Sequence, residues 1–144
     1  MIHDTRGGGE VIVIGWMVPS MVAPGSGGEK QLAAMLEKYV LILVAHGRLD
    51  KMTGSLSFEE INALEARDEA GTALAPAVRS DMPPIDNGML AAVESLFRQS
   101  FGAMGKGTKM FVFDAGSVNS CKKGQVSVPF AGETYRWETP FPGC

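Results

Sequence analysis

Most of the capacity for covalent or acid–base chemistry in this chain lies in two cysteines, two histidines and sixteen carboxylates. Cys121 is followed by Lys122 and Lys123, whose positive charge favours a thiolate. A nucleophile also needs a base within hydrogen-bond reach. The sequence offers His46 for that role, with Asp50 or Asp114 to orient it. Nothing in the spacing brings these groups together, so a loop thiol and a histidine at a helix end is the plainer reading. The other histidine, His3, falls in a glycine-rich start. Acid–base work would then rest on carboxylates such as Glu10, Glu37, Asp50, Glu60, Asp114, Glu133 and Glu138, none of which forms a recognisable pair. The chain has no CxxC and no Cys/His cluster, so neither a structural zinc site nor any other metal or cofactor is expected. Two cysteines are too few for a disulfide-dense module. One bridge, Cys121 to Cys144, stays open because spacing does not define its geometry.

Two glycine-rich segments invite an anion-binding reading. In Gly102-Ala-Met-Gly-Lys-Gly-Thr-Lys, Gly105-Lys106 is followed by Gly107 rather than Ser or Thr. The segment also runs out of a helix into a strand, whereas phosphate needs the N-terminus of a following helix. It therefore reads as a flexible turn. Gly25-Ser-Gly-Gly-Glu does open a helix, but it lacks a lysine. The stretch Asp50-Lys-Met-Thr-Gly-Ser-Leu-Ser-Phe-Glu-Glu-Ile resembles the second half of an EF-hand loop, with Gly54, Leu56 and Glu60 at the turn glycine, the small-sheet hydrophobe and the bidentate glutamate. That resemblance implies a helix on either side. The early ligand positions are Leu49, Lys51 and Thr53; leucine cannot ligate calcium and lysine repels it. A capped helix entry explains the same letters.

The apolar side chains are more suggestive. Trp16, Met17 and Met21 follow the first strand, and Phe130, Tyr135, Trp137 and Phe141 gather near the end. Nine methionines add adaptable apolar surface. These residues either fill a core or line an apolar pocket or a self-association face. In the second case Trp16, Met17, Tyr135, Trp137 and Phe141 are the candidate ligand or interface residues. The closing Pro140-Phe-Pro-Gly-Cys is apolar enough to dock on the domain or on a neighbouring subunit.

Net charge is −3 and the isoelectric point about 5.4, which gives no steering toward nucleic acid or an anionic membrane. The only close basic cluster, Lys106, Lys109, Lys122 and Lys123, reads as a solvated surface. No run approaches the ~18 apolar residues of a membrane span. Val11–Val18 suits a buried strand better than a minimal signal core, so a cytoplasmic protein is expected. At 144 residues and 45% hydrophobic, one domain with a substantial core is expected, preceded by a mobile start over 1–9.

The elements follow from periodicity. Val11-Ile12-Val13-Ile14 suits a central strand, ended by Pro19. Ser26 and Glu29 have capping-box spacing, and Leu32, Met35, Leu36, Tyr39, Val40 and Leu43 continue a helical stripe toward Gly47. An alternative is a helix over 29–37 and a buried strand over 39–45; the unbroken chain favours the long helix. Ser57 and Glu60, with Leu56 and Ile61 as staple, predict a second helix that fades near 68–71. Residues 72–85, with three prolines, read as an irregular connection. A third helix starts at Asp86 or Asn87, with Leu90, Val93, Leu96, Phe97 and Phe101 as its stripe and Gly102 as its stop. Alternation then predicts a strand over 109–114 and a hairpin of 125–130 with 133–138 around Ala131-Gly132. Pairing Phe130 with Glu133 puts Val126, Val128, Tyr135 and Trp137 on one face, and Pro129 marks an outer edge. The expected fold is α+β: a mixed, mainly antiparallel sheet of about four strands, an N-terminal strand plus a C-terminal three-strand meander, packed by three helices. Many Met and aromatic residues beside few catalytic-type groups point to a non-catalytic protein. It would bind a small apolar ligand or another protein, self-associate as a homo-oligomer, and engage no nucleic acid and no membrane. The rivals are a small enzyme using carboxylates or Cys121 with His46, and a degenerate EF-hand-like module.

Overall fold

The computed structural model describes residues 2–21, 28–100 and 102–142. In chain order the elements are β1 (Ile2–Thr5), β2 (Glu10–Met17), α1 (Glu29–Lys38), β3 (Tyr39–Leu49), β4 (Leu56–Phe58), α2 (Pro84–Ser100), β5 (Lys109–Asp114), β6 (Gly124–Phe130) and β7 (Glu133–Thr139). Among the described residues the fold is thus α+β, with seven strands and two α-helices. Five strands form one sheet in the order β1-β2-β3-β4, with β5 also on β3, and β6 and β7 form a second sheet. No helix among the described residues is long and apolar enough to cross a membrane. The chain divides into two compact units: Met1–Gly15, Ile42–Asn62 and Pro83–Met110 form the first, and Trp16–Leu41, Ala63–Met82 and Phe111–Cys144 the second.

Helix α1 ends at Lys38, nine residues before the stop expected at Gly47. The following residues form β3, the alternative reading of this stretch. The cause is burial. Val40 to Ala45 are all 0–2% exposed, and a helix buries one stripe, whereas a strand covered on both sides buries every residue. Their β-branched and aliphatic side chains suit that environment.

The second expected helix is absent. Leu56–Phe58 instead pair antiparallel with β3, Gly47 opposite Phe58 and Leu49 opposite Leu56. The turn between them is built by Asp50. Its Oδ1 accepts the Met52 N–H at 2.9 Å, and its carbonyl accepts the Gly54 N–H at 2.7 Å. Closing this hairpin satisfies more backbone groups at once than a capping box does, so tertiary pairing overrides the local helix signal. Residues 59–82 continue without an α-helix.

The start, expected to be mobile, pairs with β2 as β1 in a register that sets Ile2 opposite Ile14 and Thr5 opposite Val11. Helix α2 begins two or three residues earlier than the expected Asp86 or Asn87, with Pro84 at a first-turn position where its missing N–H costs nothing. Leu90 and Val93 are buried as predicted, but Leu96 is 60% exposed; Phe101 lies outside the described residues.

The C-terminal strands do not form one meander. Strand β5 joins the large sheet, where its buried Val112 and Phe113 find cover. The β6–β7 hairpin has the register that alternation predicts: Val126 opposite Trp137, Val128 opposite Tyr135, Ser127 opposite Arg136. Ala131 and Gly132 have φ of 51° and 84°, the left-handed pair that a two-residue turn between twisted strands requires. Valines 126 and 128 are fully buried. On the outer edge of β6, Ser127 exchanges backbone bonds with Arg67 at 2.8 and 2.9 Å, and the edge pairing stops short of Pro129.

Candidate functional site

The second unit carries a cleft of about 300 Å³, bordered by Asp68–Ala70 on one side, by Ser117–Asn119 and Lys122–Gln125 on the other, and by Thr139. Two tight turns shape it. In the first, Asp68 N–H donates to the Thr72 carbonyl at 3.0 Å and Gly71 N–H to the Asp68 carbonyl at 3.0 Å. The Thr72 N–H in turn donates to Asp68 Oδ1 at 2.9 Å. Residues between these bonds, Glu69 among them, stand on the tip of the turn. In the second, Val118 N–H donates to the Ala115 carbonyl at 2.9 Å and Lys122 N–H to that of Asn119 at 3.2 Å. The Cys121 N–H donates to Asn119 Oδ1 at 2.8 Å. The lining mixes polar and apolar surface, and its residues include two carboxylates, two lysines, two amides and two hydroxyls beside Ala70 and Val118. At its start β6 carries Gly124. A β-carbon there would stand 3.3 Å from Thr139 Oγ1 and 3.9 Å from Glu69 Oε2, so the missing side chain keeps the cleft floor open.

The first unit carries a charged cluster around Glu10. Glu10 Oε2 lies 2.8 Å from His46 Nε2 and 3.3 Å from an Arg48 terminal nitrogen. Its Oε1 accepts from Arg6 at 3.3 Å. Arg6 reaches Asp4 at 3.3 Å, and Arg48 reaches Glu59 at 2.8 Å. The hydrogen bond from His46 is the main reason the Glu10 carboxyl sits below its ordinary range; burial opposes this, and the charges of His46, Arg6 and Arg48 reinforce it. Arg48 is held above its ordinary value, first by the Glu59 hydrogen bond and then by Glu10. Both oxygens of Glu10 are occupied and its basicity is low. It is therefore a weak proton acceptor and a strong hub for β1, β2, β3 and the residue after β4.

No protein-family model, curated protein or solved structure matches this chain.

His46 is 13% exposed and bound to Glu10. Asp50 is the turn-former of the β3–β4 hairpin, and the N–H groups of Met52 and Thr53 lower its carboxyl below the ordinary value. Cys121 is disulfide-bonded and so carries no thiol to act as a nucleophile; Cys144 lies outside the described residues. His46 belongs to the first unit and Cys121 to the second. The EF-hand-like stretch is a β-hairpin turn, flanked by strands and not helices. Residues Gly102–Gly107 form a 3-10 segment. A β-carbon at Gly105 would collide with the Arg98 carbonyl, and one at Gly107 with the Phe58 ring, so these glycines serve close packing. Among the described residues no group of three His, Cys, Asp or Glu side chains could hold a metal ion.

The aromatic candidates are mostly interior. Trp16, Tyr135 and Trp137 are 4, 7 and 7% exposed, and Met17 and Phe141 are half-buried. Phe141 meets Trp16 edge-on at 5.2 Å, and its N–H donates to the Ser120 carbonyl at 2.9 Å. Phe141 thus docks within its own unit. Sequence reasoning took Lys122 and Lys123 as solvated charges and as neighbours that favour a Cys121 thiolate, not as ligand-binding groups. It missed Glu69, Gly124 and Thr139, whose sequence neighbourhoods carry no ligand signal; only the turn geometry draws them together.

Proposed function

We propose that the chain is a non-catalytic small-molecule-binding protein whose ligand occupies the cleft of the second unit. The observation that carries this reading is a cleft of about 300 Å³, at the small end of ligand pockets, with convergent charged and hydrogen-bonding groups. The ligand is polar, because the aromatic side chains expected to line an apolar pocket are taken up by the core. The carboxylate-enzyme reading is weaker: Glu10, the best-connected carboxylate, has both oxygens occupied and a lowered pKa. The test is a titration of the ¹⁵N-labelled chain with inorganic phosphate, acetate, methylammonium and L-alanine. Saturable amide shifts confined to residues 68–70 and 117–125 are expected with at least one probe, and any probe carrying a carboxylate or phosphate should bind about tenfold more weakly in Lys122→Ala/Lys123→Ala. Absence of saturable shifts with every probe removes the reading.

A second reading, self-association, is favoured by α2. Ile85 and Leu96 are 55% and 60% exposed and lie about three turns apart on one line of the helix. Between them on that line stand Gly88 and Ala92, which let another backbone come close. Multi-angle light scattering should find a dimer in the parent chain and a monomer in Ile85→Glu/Leu96→Glu. A monomeric parent at high concentration excludes it.

A further inference from the structure

We infer that the cleft of the second unit takes a zwitterion: a small molecule carrying both an ammonium and a carboxylate group, as a free α-amino acid does. This rests on the cleft being the binding site. Of the four charged side chains on its border, Asp68 and Glu69 are acidic and Lys122 and Lys123 basic, so the border sums to zero. The two signs do not cancel by pairing. Among the described residues none of Glu69, Lys122 and Lys123 enters an ion pair. Yet they flank the same backbone position: Glu69 Oε2 comes within 3.9 Å of where a β-carbon on Gly124 would stand, and the two lysines immediately precede Gly124 in the chain.

Opposite charges held on two separate turns with a gap between them discriminate by charge pattern. A simple anion drawn by the lysines meets Asp68 and Glu69. A simple cation drawn by Glu69 meets the lysines. A molecule with one charge of each sign places its carboxylate toward the ammonium groups and its ammonium toward Glu69, and like-charge repulsion is avoided. Asp68 already accepts the Thr72 N–H through Oδ1, which leaves Glu69 as the carboxylate with its full acceptor capacity. Asn119 spends its Oδ1 on the Cys121 N–H and retains its amide NH₂ as a donor for a carboxylate. The volume of about 300 Å³ accommodates a molecule the size of an amino acid.

The experiment is the amide-shift titration of the full-length chain with L-alanine, acetate and methylammonium, each followed to saturation. L-alanine should bind at least about tenfold more tightly than either one-charge probe, the factor expected for one additional charge-assisted hydrogen bond. Glu69→Gln and Lys122→Gln/Lys123→Gln should each weaken L-alanine by about tenfold and leave the thermal midpoint unchanged, since these side chains hold no native ion pair. Gly124→Val, which fills the floor without altering any charge, should abolish binding; thermal melts in parallel show whether that variant is folded, and the two Gln variants decide the matter if it is not. Equal affinity for acetate or methylammonium and L-alanine overturns the zwitterion while the cleft stands as a site. No saturable shift with any probe overturns both.

Discussion

Val128→Ala offers the sharpest test of how the small sheet is held together. Val128 is fully buried on β6, directly opposite Tyr135 on β7. The substitution removes two methyl-sized groups from the interior, about 1.6 kcal/mol of transfer free energy at ~0.8 kcal/mol each. Tyr135, 7% exposed, cannot collapse onto the space without disturbing the ladder, so an unfilled cavity adds up to about 1 kcal/mol more. The expected loss is about 2–3 kcal/mol. Ser127→Ala, one residue away on the opposite face of the same strand, should stay within about 0.5 kcal/mol, because its backbone bonds to Arg67 are unaffected. Urea unfolding followed by tryptophan fluorescence reads both variants, with Trp16 and Trp137 as buried reporters. At an m-value near ~2 kcal/mol/M, Val128→Ala should lower the midpoint by roughly 1 M with m unchanged. Equal midpoints for the two variants, or a larger loss for Ser127→Ala, would refute the assignment of one buried and one wet face.

Three further predictions follow from other parts of the chain. Gly105→Ala drives a β-carbon into the Arg98 carbonyl, where only backbone movement relieves it; thermal melts should show a loss of about 1–3 kcal/mol. Gly124→Ala, which meets the hydroxyl of Thr139 at 3.3 Å, should stay within about 0.5 kcal/mol of the parent, and a cost at Gly124 equal to that at Gly105 would contradict the packing argument. The lowered carboxyl of Glu10 contributes stability that is fully present above the ordinary value of 4.5 and is lost as pH falls through its folded value. Urea midpoints of Glu10→Gln should therefore fall below those of the parent at neutral pH and vary less with pH on the acid side; parallel curves for the two proteins would show that the cluster adds nothing. Asp50→Ala leaves the Met52 N–H without its side-chain acceptor and should lower the urea midpoint, with faster amide hydrogen exchange confined to the β3–β4 hairpin. Uniform exchange across the chain would speak against a local role.

The features that sequence alone determined are those whose cause is local. The β6–β7 register follows from alternation over a dozen residues and a two-residue turn, and no distant group has to be known to derive it. Helix α2 was legible because its buried positions repeat every third or fourth residue, though Leu96 shows that periodicity does not say where the cover ends. Tertiary structure decided the rest. Tyr39–Val44 serves equally well as helix or strand until β2 and β5 are beside it to take up its backbone hydrogen bonds. The Ser57–Glu60 capping box is a true local preference that loses to hydrogen bonds with β3. The two charged constellations were beyond reach for the same reason: Glu10 and His46 are 36 residues apart in the chain, and Glu69 reaches Gly124 only because Arg67 pairs with Ser127. A periodic pattern records what a segment can bury, but which segments meet depends on the free energy of the whole chain, and a site assembled from separate turns exists only after they have met.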